Sequence, residues 1–262
     1  MEIEFLRNIG QSLLKEISSS KIHLSGTALG RGASGDTTFP IDKLAEDLII
    51  ETFEKAGIKI NIISEERGSE NIEGNHSFLI VDPIDGSKNA ISGIPFFSTS
   101  IAISDGTTLK SLKLGYIINL INGDEFWAER GKGAFFNGDK ITTKNNEKPV
   151  IIGFEASNPY EALKNILSLF KIANRVRCFG STALDLAYLS AGALNIFVTP
   201  TPSRIFDFSA GILIAKESGA IISDIKGNSI DGFEVAFDTK TTLLVSANKA
   251  LHKRALNLVN IK

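Results

Sequence analysis

The spacing of the apolar residues changes twice along the chain, and those changes constrain the fold more than any other feature. Ile3, Leu6, Ile9, Leu13, Leu14 and Ile17 recur at three- and four-residue intervals, which predicts an amphipathic helix over 2–18. Leu44, Ala45, Leu48, Ile49, Thr52, Phe53 and Ala56 repeat that period in a second helix, which Gly57 stops. Between the two, residues 20–39 set Gly26, Gly30, Gly32 and Gly35 among Ser, Thr and Asp and read as a mobile loop. Short β-rich runs then take over: Ile58–Ser64, Phe78–Asp82, Ser98–Ser104, Leu112–Leu120, Glu125–Ala128 and Val150–Ala156. Asn122-Gly123 and Asn137-Gly138 are hairpin turns, so this stretch reads as an antiparallel region. Past Pro159, helices at 160–171, 182–191, 208–218 and 248–259 alternate with strands near 175–179, 195–198, 220–223 and 242–246, an α/β pattern. Asn145-Asn146-Glu147-Lys148-Pro149 marks a soft boundary between residues 1–148 and residues 149–262.

A chain of 262 residues can bury a core without disulfides or a structural metal. Its single Cys excludes a disulfide framework and a Cys-cluster metal site. No apolar run approaches the ~20 residues of a membrane helix, and Met1–Phe5 opens no signal-peptide pattern, so the expected location is cytoplasmic. A net charge of −2 excludes a strongly basic nucleic-acid binder, and neither nucleic acid nor membrane is expected as a partner. The charge is uneven: residues 1–150 hold 16 Lys+Arg against 21 Asp+Glu, and residues 151–262 hold 12 against 9. An acidic front and a basic back suit a metal-dependent enzyme with an anionic substrate; they equally suit two solvated faces.

The stretch richest in chemistry is Phe78-Leu79-Ile80-Val81-Asp82-Pro83-Ile84-Asp85-Gly86-Ser87-Lys88-Asn89. An apolar strand runs into two carboxylates, Pro83 is read as its end, and Gly86 allows a tight turn before a short helix at 87–92. Carboxylates with nearby carbonyls suit a hard cation such as Mg²⁺, and the turn's N–H groups suit a phosphate. An acidic surface turn capping the helix would look the same. Glu65-Glu66 follows another β run, and Asp207 and Asp42 stand at helix starts, where each is also an ordinary N-cap. Together these residues supply acidic groups from several elements, as multi-metal phosphoryl transfer requires. Asp82 and Asp85 are three apart, not the two of an Asp-x-Asp phosphatase, and no Walker stretch exists. His23, His76 and His252 lack partners at ligand spacing and read as packing or surface residues. Cys178 reads as a small core residue, and Ser87 lacks a Gly-x-Ser-x-Gly elbow.

In three ordered blocks the chain resembles the inositol monophosphatase family of lithium-sensitive, Mg²⁺-dependent phosphatases. Ile63-Ser64-Glu65-Glu66 is similar to its Gly/Ser-Glu-Glu block, and Val81–Asn89 to its Asp-Pro-x-Asp-Gly-Thr/Ser-x-Asn signature. Phe206-Asp207-Phe208-Ser209-Ala210-Gly211 is similar to its Trp-Asp-x-x-Ala-Gly block, with Phe206 for Trp. Gly32–Asp36, Ile41–Asp47 and Arg177–Leu184 resemble the archaeal branch that hydrolyses both fructose 1,6-bisphosphate and inositol 1-phosphate. The resemblance implies a five-layer αβαβα sandwich of the inositol monophosphatase/fructose-1,6-bisphosphatase type, a homodimer, and a small phosphate ester as substrate.

It also implies residue roles. Glu65, Asp82, Asp85, Asp207 and the Ile84 carbonyl match the positions that hold two to three Mg²⁺ ions. Asp42 and Ser87 match the pair that orients and deprotonates the attacking water. Asp85 and the main-chain N–H groups of Gly86 and Ser87 border the phosphate, and Ser181 and Thr182 lie where relatives touch the sugar or inositol ring. Arg177, then Arg204, then Arg175 are candidates for a second phosphate, because guanidinium binds phosphate bidentately. Loop 26–39 would close over the site, with Asp36 organising a weaker metal. Li⁺ would inhibit from a Mg²⁺ position. Two alternatives stay open: a 3′-phosphoadenosine 5′-phosphate phosphatase of the same family, and a sugar-phosphate sensor without turnover.

Overall fold

The computed structural model describes residues 1–20, 26–143 and 150–259. The boundary at 145–149 therefore lies outside the described residues, as does His23. Two helices open the chain, α1 (Ile3–Ser20) and α2 (Pro40–Lys55). A two-stranded hairpin, β1 (Gly30–Arg31) and β2 (Thr37–Thr38), lies between them in sequence.

The large sheet contains β3 (Asn61–Ser64), β4 (Gly68–Glu70), β5 (Phe78–Asp85), β6 (Ser98–Ser104), β7 (Leu112–Asn119), β8 (Glu125–Glu129), β9 (Gly133–Phe136) and β10 (Asp139–Ile141). Its order is β10-β9-β8-β7-β6-β5-β3-β4. A smaller sheet of β11 (Ile151–Phe154), β12 (Arg175–Arg177), β13 (Ile196–Arg204), β14 (Ile221–Ser223) and β15 (Lys240–Ser246) has the order β12-β11-β13-β15-β14. The remaining helices are α3 (Ser87–Ser92), α4 (Pro159–Ile166), α5 (Thr182–Ser190), α6 (Ile205–Glu217) and α7 (Lys249–Leu256).

Side-chain alternation along the strands builds the layers. On β5, Leu79 and Val81 join the core formed with Leu6, Ile9, Leu13 and Ile17 of α1 and Ile41, Ile49 and Phe53 of α2. Phe78 and Ile80 face the other way, into a core shared with α5 and α6. All eight residues of β5 are consequently buried. The small sheet repeats the device: Phe197, Leu243 and Val245 pack on the α5–α6 layer, while Ile196, Val198 and Leu244 pack against Ile166 of α4 and Leu251 and Ala255 of α7. The result is the expected five-layer αβαβα sandwich. Position in the stack explains composition. Ten of the thirteen residues of α6 are buried, as a helix between two sheets requires, whereas α1 covers one face and keeps a polar stripe. Small residues let the layers close. A Cβ on Gly115 of β7 would lie 2.8 Å from the Ala210 carbonyl oxygen of α6, and one on Gly211 would lie 2.7 Å from Leu186 Cβ of α5.

Several sequence expectations need correction. Pro83 does not end its strand; β5 continues to Asp85 through a register irregularity between Asp82 and Asp85, where a missing N–H costs no ladder bond. The first sheet is not wholly antiparallel, because β3 pairs parallel with β5 after the crossover through β4. Asp42 and Asp207 are not N-caps. Each is the third residue of its helix and accepts the N–H of the cap residue, Phe39 to Asp42 at 2.7 Å and Arg204 to Asp207 at 2.8 Å. Cys178 is exposed rather than core. His252 is buried between the hydroxyls of Ser223 and Ser246, a packing residue as read. At Asn137-Gly138 both residues have positive φ (50° and 97°), which suits the two-residue hairpin turn from β9 to β10.

Candidate active site

The acidic residues meet where four element ends converge. Parallel pairing sets Ser64 beside Val81, so Glu65 leaves β3 abreast of Asp82 on β5, and the Glu65 N–H donates to the Val81 carbonyl at 3.3 Å. Both strands thus point their C-terminal carboxylates the same way. Asp207 comes from the first turn of α6, and Asp36 from the β1–β2 hairpin. That hairpin is seated on the Glu65-Glu66 turn: Ala33 N–H donates to the Glu66 carbonyl, Ser34 N–H to the Glu65 carbonyl, and the Thr38 hydroxyl to the Glu66 carboxylate.

Arg204 stands at the centre. Its Nη1 lies 2.5 Å from Asp36 Oδ2, and its Nη2 lies 2.9 Å from Glu65 Oε1 and 3.2 Å from Asp207 Oδ1. The guanidinium carbon also sits 4.8 Å from the centre of the Phe206 ring. Burial opposes that charge, but Asp207, Glu65 and Asp82 outweigh it and hold Arg204 firmly protonated.

Asp85 joins the two halves of the chain. Its Oδ2 accepts the Ser181 hydroxyl and the Ala183 N–H, each at 2.6 Å, at the start of α5. Gly86 follows at φ 96°, and a Cβ there would stand 3.0 Å from the Gly180 carbonyl oxygen, so only glycine fits this turn.

Burial dominates the titration of the cluster, with mutual repulsion added. Burial pushes Glu65 up to about 8, against the pull of Arg204. Burial raises Asp85 to about 7 and lifts Asp82 well above the carboxylate range, with Glu65 and Asp85 reinforcing the shift of Asp82. Asp207 is raised by burial and restrained by Arg204. Asp42, buried beside Glu66 and Glu46, rises to about 7.

These residues fit a hard divalent cation. Every donor is oxygen, the carboxylates repel one another, and Asp82 Oδ1 is buried with no hydrogen-bond partner among the described residues. Among the described residues no three acidic or His/Cys side chains form a closed ligand group as they stand, with the Arg204 guanidinium lying between Glu65 and Asp207.

Two clefts meet at Asp36 and Arg204. One, of about 170 Å³, is lined by Glu65, Asp82, Ile84, Asp85, Gly86 and Ser87. The other, of about 400 Å³, is lined by Glu155, Ser157, Thr182, Thr201, Asp207 and Lys240. Thr182 and Arg204 therefore face the space a substrate would need. Ser181 does not: it is buried, and its hydroxyl is engaged with Asp85 and, as the cap of α5, with the Leu184 N–H. Arg177 lines neither cleft and folds its Nη1 onto the Val176 carbonyl at 3.0 Å, and Arg175 turns onto the Asn174 carbonyl. Asp42 and Ser87 share no hydrogen bond among the described residues; Asp42 lies behind Glu65 and Glu66, while Ser87 faces the smaller cleft. Glu155 and Lys240 were missed by sequence reading. Each follows or opens a strand of the small sheet, with no local motif to distinguish it from a solvated charge.

The sequence profile of the Inositol monophosphatase family matches residues 1–262. The chain is 33% identical over 248 residues to the fructose-1,6-bisphosphatase/inositol-1-monophosphatase of Methanothermobacter thermautotrophicus, covering 90% of this chain and 88% of that protein. It is 35% identical to the fructose-1,6-bisphosphatase of Pyrococcus furiosus, covering 99% and 100%. It is also 32% identical to a bifunctional NADP phosphatase/NAD kinase of Methanococcus maripaludis, covering 98% of this chain but 48% of that longer protein. A solved inositol monophosphatase–fructose 1,6-bisphosphatase superposes with a TM-score of 0.88 at 28% identity, covering 99% and 100%. The fold and its carboxylate-lined cleft define an α/β phosphomonoester hydrolase. The chain belongs to the inositol monophosphatase family.

Proposed function

We propose that this phosphatase is Mg²⁺-dependent and hydrolyses sugar and inositol phosphates, fructose 1,6-bisphosphate and inositol 1-phosphate among them. The observation that carries the reading is the convergence of Glu65, Asp82 and Asp85 on one cleft and Asp207 on the cleft that adjoins it at Arg204, with the buried Asp82 Oδ1 lacking a donor among the described residues. The names of the Methanothermobacter and Pyrococcus relatives support the substrate class.

Glu65, Asp82, Asp85, Asp207 and the Ile84 carbonyl are the proposed ligands. Mg²⁺, when bound, neutralises phosphate charge and acidifies water. The N–H groups of Gly86 and Ser87 orient the phosphate at the start of α3. Asp42 and Ser87 orient the attacking water, and Asp42, held near 7 by burial, is poised to take its proton. Thr182 and the hydroxyls of the larger cleft hold the leaving sugar. Most of the rate then comes from positioning and charge neutralisation.

The test is phosphate release from fructose 1,6-bisphosphate and inositol 1-phosphate, side by side, with Mg²⁺ and with EDTA. Mg²⁺-dependent release from both is expected. Asp82→Asn and Asp207→Asn should each remove at least about 10²-fold in kcat while the protein stays folded; near wild-type rates in both would overturn the assignment. One observation favours a second reading. Relatives named as NADP phosphatases cover nearly the whole chain, and a cleft of about 400 Å³ has room for part of a nucleotide. Faster release from NADP or 3′-phosphoadenosine 5′-phosphate than from either sugar ester would establish it. Tight binding of sugar phosphates with no release would instead point to a sensor.

A further inference from the structure

A second carboxyl pair, Glu155 on the wall of the larger cleft and Asp185 buried behind it, is left without a role by the phosphatase reading. Asp185, in the first turn of α5, is fully buried, and neither of its oxygens meets an N–H or O–H donor among the described residues when it is treated as a carboxylate. Its Oδ1 lies 3.3 Å from where a Cβ on Gly153 would stand. Gly153 and Glu155 are two residues apart at the end of β11 and share a face. The absence of a side chain at Gly153 leaves Asp185 room beside Glu155.

Glu155 is the carboxyl group that faces the buried Asp185 oxygens at close range, in the position to share a proton with them. Two carboxyl groups hydrogen-bond to each other only if one carries a proton. Glu155 is already committed as an acceptor: its Oε1 takes the Gly180 N–H at 2.6 Å. Among the described residues Asp185 meets no donor, and it is closed to solvent. Burial, and then the charge of Glu155, favour its neutral form.

The pair grips a segment that has little slack. Asn89 holds the opposite side through its Nδ2 and the Phe179 carbonyl at 2.6 Å. Gly180 has φ 85°, and a Cβ there would be 2.8 Å from the Asn89 amide nitrogen. Immediately beyond, the Ser181 hydroxyl and the Ala183 N–H both donate to Asp85.

We propose that Asp185 is a neutral carboxylic acid donating to Glu155, and that this proton-sharing pair is the positioning device that fixes residues 178–183 and, through Ser181 and Ala183, aims Asp85. This role rests on the phosphatase reading only through the kinetic readout.

The test uses Asp185→Asn and Asp185→Ala with wild type, in saturating Mg²⁺. Asn keeps the shape and an N–H donor without a charge. It should fold and hold kcat and KM within roughly threefold. Ala removes the donor, leaves Glu155 unsupported, and should lower kcat at least about tenfold, more than it changes KM. Infrared spectroscopy reads the proton directly. The carbonyl stretch of a protonated carboxyl group should be present in wild type at neutral to mildly alkaline pH and lost in Asp185→Asn. An Asn variant as damaged as Ala, or no band lost between wild type and Asn, overturns the proposal. Should Asp185→Ala fail to fold, the Asn variant and the infrared band still decide. Absence of phosphate release from every ester would sink the phosphatase reading while leaving the band, and the proton-sharing pair, intact.

Discussion

Arg204 Nη2 lies 2.9 Å from Glu65 Oε1, so a side-chain cation already answers the charge of a carboxylate that a divalent ion would also seek. The same guanidinium spans Asp36 on the hairpin and Asp207 on α6. Removing it should leave these three acidic groups facing one another. Breaking a buried charge pair costs roughly 3–5 kcal/mol, on the order of a 10 °C fall in Tm for a domain of this size. Arg204→Met should therefore melt well below wild type in EDTA, and added Mg²⁺ should stabilise it by more than it stabilises wild type. Thermal scans with and without Mg²⁺ check this. Equal Mg²⁺ shifts in both proteins would mean that Arg204 and the metal do not compete for the same oxygens.

The raised carboxylates make stability depend on pH in a definite direction. Burial puts Glu65 at about 8 and Asp85 and Asp42 at about 7 in the fold, against ordinary values near 4 in the unfolded chain. The folded state then holds more protons than the unfolded state between those limits, so stability falls as pH rises through that window. Urea unfolding in EDTA should give a higher midpoint near pH 5.5 than near pH 8. Mg²⁺ at the higher pH should recover the difference, because it takes the place of the protons. A flat profile in EDTA would show that these groups are ionised in the folded protein.

How much of this was legible in the sequence depends on whether the signal was local. The α1 and α2 helices, the Asn137-Gly138 turn and the run Phe78–Val81 follow from period and turn chemistry, which act within a few residues. The parallel pairing of β3 with β5 was not legible, because register is set by layers that close from distant parts of the chain. That pairing is what brings Glu65 abreast of Asp82. The carboxylates were findable because they sit in motifs. From sequence Arg204 is only the second candidate for a substrate phosphate, since nothing in Ser203-Arg204-Ile205 announces three acidic neighbours from three elements. Glu155 and Asp185 were invisible for the same reason: thirty residues of sequence separate them, and only the packing of α5 on β11 brings them together.

The Asp-x-x-Ala-Gly block contains packing information as well as chemistry. Gly115 on β7 faces the backbone of α6, with the Ala210 carbonyl oxygen 2.8 Å from a would-be Cβ. A methyl group there meets main chain, which cannot rotate away as a side chain can. Gly115→Ala should cost about 1–3 kcal/mol by overpacking. It should also lower kcat, since the helix it displaces presents Asp207. Chemical denaturation beside steady-state kinetics tests both parts. A stable variant with lowered kcat would place the effect in the site alone, and an unchanged variant would show that α6 has room to move.

The larger cleft gives a specific expectation for a second phosphate. Arg177, the first choice from sequence, spends its guanidinium on the neighbouring Val176 carbonyl and lines neither cleft. Lys240 is paired in register with Arg204 across β13 and β15, is exposed, and lines the cleft beside Thr201 and Ser203. An ammonium group there can meet the far end of a bisphosphate whose other end lies over Asp82 and Asp85. Lys240→Ala should raise KM for fructose 1,6-bisphosphate by about tenfold, the loss of one charge-assisted hydrogen bond, and leave KM for inositol 1-phosphate within a factor of about two. Arg177→Ala should change neither. Comparing KM for the two substrates in the two variants separates the possibilities. A bisphosphate-specific defect in Arg177→Ala with none in Lys240→Ala would mean that the second phosphate is held on the β12 side of the site rather than on β15.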